Sequence, residues 1–152
     1  MSEAPAAGAS SPPGRVVALD YGAARCGVAV SDPTWTVATP LDAVLRPGTR
    51  RGFNRVLALV REQAAVAVVV GLPLSLSGRD SNQTRETRAF VERLRDRLNM
   101  PIEVYDERFT TKLARRSGGA KAEDSRAAAV LLEGWLARGS SNEPHPNPPE
   151  EP

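Results

Sequence analysis

Three carboxylates in the sequence could do chemistry if the fold brought them together. Asp20 ends the apolar run that starts at Val16, Glu107 follows the run 101–105, and Asp124 lies near the start of a helical segment. Carboxylate oxygens suit hard divalent cations such as Mg²⁺ or Mn²⁺. Two such ions can activate a water and stabilise the leaving oxygen when a phosphodiester is cleaved. The sequence therefore predicts an oxygen-only site for Mg²⁺ or Mn²⁺ at Asp20, Glu107 and Asp124.

Two of these acids lie at the carboxyl ends of predicted strands. The run 16–19 is apolar on both alternating faces, which is typical of a central strand covered on both sides. Open α/β sheets place their ligand sites at the carboxyl ends of the strands, where Asp20 and Glu107 are expected. Asp106 alternates to the strand face opposite Glu107, so we interpret it as structural.

The prediction for the third acid, Asp124, depends on helical spacing. Asp124 precedes Ala128 by four residues and Leu131 by seven, so it is expected on the packed face of the last helix. An inward carboxylate loses hydration, and it needs a partner to offset that cost. A cation shared with the two strand-end acids would be such a partner.

Each acid also has a purely structural explanation. Asp20 is a common type of turn residue before Gly22, and Glu107 is adjacent to Arg108. Asp124 would also complement the positive end of a helix. Taken singly, these explanations are favoured, whereas the combination of two strand ends and one inward helix position favours a metal site.

The remaining pattern predicts a mixed α/β domain. Strands are expected at 15–20, 26–31, 35–44, 65–70 and 101–105, and helices at about 49–64, 84–98, 110–116 and 122–138. Short connections make the first three strands an antiparallel meander. The last two strands follow helices, so they are expected to be parallel to the first, with helices flanking the five-stranded sheet.

The charge distribution indicates a polyanionic partner. Residues 15–138 contain all 20 Lys and Arg and 14 of the acidic residues, a net charge of +6. Such an excess fits nucleic acid, although many other domains share it. The candidates for contact with a phosphate backbone are Arg79, Arg108, Lys112, Arg115, Arg116 and Lys121. The loop 71–84 is equally compatible with phosphate contact and with an ordinary strand-to-helix connection.

Several classes are excluded or disfavoured by composition. Cys26 is the single cysteine and His145 the single histidine, which argues against a disulfide framework, a zinc site and a histidine-based catalytic triad. Residues 1–14 and 139–152 are poor in apolar side chains and are predicted to be disordered tails around one domain at 15–138. No targeting signal or membrane-length apolar run is visible, so a cytoplasmic protein with no membrane partner is expected.

Five motifs together resemble those of the YqgF (RuvX) family. They are Asp20-Tyr-Gly, Cys26-Gly-Val-Ala-Val-Ser-Asp, Val70-Gly-Leu-Pro-Leu, Asp106-Glu-Arg-Phe-Thr-Thr and Asp124-Ser-Arg-Ala-Ala. The resemblance spans about residues 15–138 and implies an RNase H-like fold related to the RuvC Holliday junction resolvases. It also implies a nuclease that matures the 5′ end of pre-16S rRNA in ribosome biogenesis, with Asp20, Glu107 and Asp124 as metal ligands. The segment 116–121 is shorter than the usual family linker.

These observations lead to one main hypothesis and two alternatives. The main hypothesis is a Mg²⁺-dependent endonuclease that acts on pre-16S rRNA. A nuclease for DNA junctions and a nucleic-acid-binding module without cleavage remain open, as does the choice between monomer and homodimer.

Overall fold

Five strands and three helices make up the part of the chain that the computed structural model describes, residues 14–72, 82–106 and 120–140. In chain order they are β1 (Arg15–Asp20), β2 (Arg25–Ser31), β3 (Ala38–Leu45), α1 (Arg50–Glu62), β4 (Ala65–Leu72), α2 (Asn82–Arg97), β5 (Ile102–Asp106) and α3 (Ala120–Ser140). The predicted short helix at 110–116 lies outside the described ranges.

The strands form a single mixed sheet in the order β3-β2-β1-β4-β5. β2 is antiparallel to both β1 and β3, whereas β4 is parallel to both β1 and β5. The predicted meander and the predicted parallel pairing of β1 with β4 are therefore confirmed. Because β1 and β4 are central, residues 16–19 and 67–70 are fully buried.

Helices cover both faces of this sheet. α1 and α2 pack on one face against side chains that include Leu19 and Val68, whereas α3 packs on the other face against Ala18 and Val69. Successive residues of β1 and β4 thus serve different cores, as expected for strands with two covered faces. None of the helices within the described ranges is long and apolar enough to cross a membrane.

The third strand begins later than the sequence predicted. Trp35 was expected to start it, but β3 starts at Ala38. Trp35 instead has a positive φ of 63° and donates its indole N–H to the Gly14 carbonyl at 2.8 Å. Its ring centroid lies 5.2 Å from that of Trp135 on α3. A long-range aromatic contact therefore holds this residue in the turn, in place of the extended conformation that its β-propensity favours.

The last helix is longer than predicted at both ends, since α3 runs from Ala120 to Ser140. The packed face predicted at Ala128 and Leu131 is confirmed, because both residues are buried together with Leu132 and Trp135. At the start of β4, Val66 is 41% exposed, whereas residues 67–70 are fully buried.

Candidate functional site

Asp20 lies at the carboxyl end of the central strand β1 and is half-buried. Its backbone is paired with Gly27 on β2, and the preceding residue, Leu19, is paired with Val70 on β4. Ala18 packs in the core beneath α3, so alternation along β1 assigns Asp20 to that same face. The carboxylate thus lies at the end of the sheet where the predicted site was expected.

A second described acid shares this edge of the sheet. Asp106 ends β5 and is paired with Leu72 at the end of β4, two strands from β1 and therefore about 10 Å away. Tyr105 packs towards α3, so alternation assigns Asp106 to the α1/α2 face. Asp106 and Asp20 are therefore on opposite faces, which agrees with the interpretation of Asp106 as a structural residue.

The first turns of α3 reach the same edge. The buried Ser125 hydroxyl donates to the Leu41 carbonyl on β3. Leu41 is paired with Val28, and Val28 with Leu19, which is one residue before Asp20. Ser125 is therefore close to the level of Asp20 along the sheet. Asp124 and Lys121 belong to these first turns of the helix, although their side chains are outside the described part.

The other predicted site residues fall outside the described ranges. These are Glu107, Arg79, Arg108, Lys112, Arg115 and Arg116. Among the side chains that are described, no group of three or more His, Cys, Asp or Glu is placed to hold a metal ion. Of the three predicted ligands, the structure thus describes the position of Asp20, whereas convergence with Glu107 and Asp124 stays a prediction.

Tyr21, which sequence reasoning left without a role, fixes the turn that follows Asp20. Its carbonyl accepts a hydrogen bond of 2.9 Å from the Gln83 side chain at the start of α2. Its ring centroid lies 4.6 Å from that of Phe90, and its hydroxyl is close to Gly48 before α1. The residue after Asp20 is therefore attached to both α1 and α2. An aromatic side chain directly after a strand-end acid is a signal that could have suggested this anchor.

Two strand-end side chains have shifted pKa values. Burial, with a further contribution from Glu86, raises the pKa of Tyr21, so its phenol stays neutral at physiological pH. The Thr34 hydroxyl and the backbone N–H of Val37 hold the pKa of Asp32 well below its usual range. Asp32 follows β2, which ends at the edge opposite Asp20. Its hydrogen bonds shape a turn, and the residue lies far from the candidate site.

A groove of about 840 Å³ runs between β3 and α3, starting beside Ser125. Its lining combines Ala38, Pro40, Leu41, Ala129 and Val130 with the polar side chains of Asp42, Ser125, Arg126 and Glu133. The charged groups of both signs at this groove do not form a phosphate site of their own.

Comparison with solved structures defines the fold. The chain superposes on "T. thermophilus RuvC in complex with Holliday junction substrate" with a TM-score of 0.54 and 16% sequence identity, covering 84% of this chain and 96% of that chain. Together with the strand order and the helices on both faces, this similarity identifies an RNase H-like fold.

Comparison with sequences defines the family. A family model described as "RuvX: Holliday junction resolvase" matches residues 14–138. A protein of Roseiflexus sp. named "Putative pre-16S rRNA nuclease" is 44% identical over 136 residues, covering 84% of this chain and 96% of the relative. A protein of Alcanivorax borkumensis with the same name is 38% identical over 126 residues, covering 80% and 95%. The chain therefore belongs to the RuvX family, as its motifs indicated.

Proposed function

We propose that this protein is a divalent-metal-dependent endonuclease that cleaves pre-16S rRNA at its 5′ end, with Asp20, Glu107 and Asp124 as the metal ligands. The observation that carries the proposal is a half-buried carboxylate, Asp20, at the carboxyl end of the central strand of an RNase H-like sheet. The names of the relatives support the choice of pre-16S rRNA as substrate.

The geometry of the described residues supports the three-acid arrangement. Asp20 belongs to the α3 face, and side-chain alternation along β5 favours the same face for Glu107, because Tyr105 two residues earlier packs there. Helical spacing favours an inward Asp124, because Ala128 and Leu131, four and seven residues later, are buried. The proposal requires the three carboxylates to meet between the edge of the sheet and the start of α3.

Each residue has a distinct task in the proposed reaction. When bound, Mg²⁺ or Mn²⁺ would supply Lewis-acid stabilisation of the phosphoryl oxygens and lower the pKa of the attacking water. Asp20 fits the metal by its chemistry, since its hard oxygens sit in a half-buried position. Its backbone is paired with Gly27 on β2, and the preceding residue, Leu19, is paired with Val70 on β4. Glu107 and Asp124 complete the oxygen donors. Arg79, Arg108, Lys112, Arg115, Arg116 and Lys121 would hold the phosphate backbone of the substrate.

The proposal is tested by cleavage of an end-labelled pre-16S rRNA leader with Mg²⁺, with Mn²⁺ and with EDTA. We expect metal-dependent cutting by the wild type and a loss of at least about a hundred-fold in Asp20→Asn, because one metal ligand is removed. Asp42→Asn is the matched control, since Asp42 is exposed in the middle of edge strand β3. Equal cleavage by wild type and Asp20→Asn would exclude the proposed site.

The description of the family model favours a second candidate, a nuclease for four-way DNA junctions. The same assay with a labelled four-way junction separates the two candidates. If the junction is cut and the RNA is not, DNA rather than pre-16S rRNA is the substrate. A third outcome is binding of both nucleic acids without cleavage of either under any metal condition, which would favour a binding module.

A further inference from the structure

Positive charge is concentrated on one face of the molecule. We define the arginine face as α1, α2 and the Arg46 position that precedes α1. It carries ten exposed arginines, Arg46, Arg50, Arg51, Arg55, Arg61, Arg85, Arg88, Arg93, Arg95 and Arg97, against four acids, Glu62, Glu86, Glu92 and Asp96. Even if every acid neutralised one arginine, six positive charges would remain. The described side chains of α3 on the opposite face contribute two arginines and one glutamate.

The two helices present these arginines as one continuous surface. Arg93 on α2 donates to the Gly48 carbonyl before α1 at 3.1 Å, and its guanidinium lies 4.0 Å from the ring centroid of Phe53. In the other direction, Arg61 on α1 donates to the Arg97 carbonyl at the end of α2, at 3.3 Å. A carbonyl is uncharged, so these bonds orient the guanidinium groups without neutralising them.

The arginine face is continuous with the edge that carries Asp20. Arg46 has a positive φ of 45°, a conformation that is uncommon for a residue with a side chain. It is held by its N–H bond to the Ala24 carbonyl, at 2.9 Å, and by contact with Gly52, where an added Cβ would lie 1.9 Å from the Arg46 carbonyl oxygen. Ala24 belongs to the hairpin that follows Asp20. The backbone of Arg46, whose side chain is exposed, is thus fixed between the start of α1 and the hairpin that follows Asp20.

We propose that the arginine face binds the phosphate backbone of a paired RNA stem that continues from the cleavage position. This inference rests on the proposed function and assigns the partner of a surface outside the predicted contacts at 79 and 108–121. α1 has 13 residues and α2 has 16, so each spans about 20–24 Å at 1.5 Å per residue. A duplex carries roughly one negative charge per 1.7 Å of its axis, which matches a surface with several uncompensated arginines.

The test compares two pairs of substitutions that change the net charge equally. Arg50→Gln/Arg51→Gln removes two arginines at the start of α1, and Arg126→Gln/Arg138→Gln removes two exposed arginines of α3. Binding of a fully paired RNA hairpin is measured in EDTA at several salt concentrations. Each phosphate contact adds roughly 0.9 to the slope of log affinity against log salt, so the α1 pair should lower that slope by about 2. The α3 pair should leave the slope at its wild-type value.

Additional variants, a folding control and a second nucleic acid make the result decisive. Arg50→Lys/Arg51→Lys keeps the charge and should restore most of the salt dependence, and urea unfolding verifies that all variants are folded. Equal slopes for the two Gln pairs, or a larger change for the α3 pair, would overturn the inference. A contrast between the two pairs that appears only with duplex DNA would overturn the assignment to RNA. Because these measurements contain no divalent metal, failure of cleavage by the wild type leaves them interpretable, and the two proposals can fail separately.

Discussion

The two faces of the sheet are built from side chains of different size. The face beneath α3 is rich in alanine, contributed by Ala18, Ala29 and Ala67 from the sheet and by Ala128 and Ala129 from the helix. The face beneath α1 and α2 uses larger groups, including Leu19, Val28, Val68 and Val70 from the sheet and Phe53, Leu57 and Leu94 from the helices. The same strands therefore support two layers of side chains: a thin one beneath α3, called the close layer, and a thick one beneath α1 and α2, called the thick layer.

This difference explains how the two faces divide the proposed work. Small side chains let a helix lie close to the sheet, and the Ser125 hydroxyl can then reach the Leu41 carbonyl on edge strand β3. The close layer thus brings the start of α3 to the edge that carries Asp20. The thick layer supports α1 and α2, whose exposed sides carry the arginine face. In the proposed function, cleavage takes place on the α3 face, and the phosphate backbone of the substrate binds to the arginine face on the side of α1 and α2.

The largest effect is expected at the tryptophan pair that packs beneath α3. Trp135 is buried against Trp35 and donates its indole N–H to Glu103 at 3.2 Å. Trp135→Ala should lower the free energy of unfolding by about 3–5 kcal/mol, because it leaves a cavity under α3. Urea unfolding measures this change. Trp135→Phe keeps much of the side-chain volume, so its free energy of unfolding should fall clearly less. Equal decreases in the two variants would contradict the importance of packing at this position.

The next largest effect is expected from a substitution that enlarges a side chain beneath α3. Ala18 is fully buried beneath α3, so Ala18→Val should cost about 1–3 kcal/mol of unfolding free energy through overpacking. It should also lower RNA cleavage at temperatures where the protein remains folded, because α3 has to move away from the sheet. Ala89→Val on the exposed side of α2 is the control, with an expected cost below about 0.7 kcal/mol and unchanged cleavage. Normal cleavage by folded Ala18→Val would argue against the need for a close α3.

Alanine substitutions at two glycines are expected to change the stability of the protein in opposite directions. At Gly52 an added Cβ would lie 1.9 Å from the Arg46 carbonyl oxygen, a backbone atom. Gly52→Ala should therefore destabilise by about 1–3 kcal/mol, because the chain at Arg46 has to move. At Gly134 the nearest atom is the Tyr105 hydroxyl at 3.3 Å, the far end of a half-buried side chain. Gly134→Ala should be neutral or stabilise α3 by up to about 1 kcal/mol.

Thermal or urea unfolding of the two glycine variants decides this comparison. Destabilisation by Gly134→Ala as large as that by Gly52→Ala would mean that α3 has no room for even one methyl group at this position.

The smallest effect is expected at the edge of the sheet opposite the site. Hydrogen bonds lower the pKa of Asp32 in the folded protein, so its stabilising contribution is present above the usual Asp range and is lost as the pH falls. The difference in unfolding midpoint between wild type and Asp32→Asn should be constant from pH 7 to 5 and shrink below about pH 4. Thr34→Val removes the main donor and should reduce the same dependence. A difference that grows in acid would contradict the assigned hydrogen bonds.

The sequence was sufficient for features that depend on local pattern. Residues 16–19 and 67–70 are apolar on both strand faces, and the structure confirms them as the buried centre of β1 and β4. The position of Asp20 followed from the end of that pattern. Spacing alone also predicted the packed side of α3, because Ala128, Leu131 and Trp135 recur with the helical period.

Features that depend on contacts between distant segments were missed. Trp35 adopts a turn conformation because it packs against Trp135, which lies a hundred residues later. The arginine face was missed for the same reason, since Arg61 and Arg93 become neighbours of the other helix only when α1 and α2 pack side by side. Sequence reading assigned phosphate binding to residues near the acids, whereas the largest described concentration of positive charge lies on another layer.

The proposed site requires Asp20 to share a metal with Glu107 and Asp124. It is tested most directly by calorimetric titration of Mn²⁺ into the wild type, Asp20→Asn, Glu107→Gln and Asp124→Asn, with Asp106→Asn as a control on the opposite face. If the three acids share one metal, each of the three ligand variants should lose at least about ten-fold in affinity, whereas the control should bind as the wild type does. Wild-type affinity in Glu107→Gln and Asp124→Asn, or equal losses in Asp20→Asn and Asp106→Asn, would contradict it.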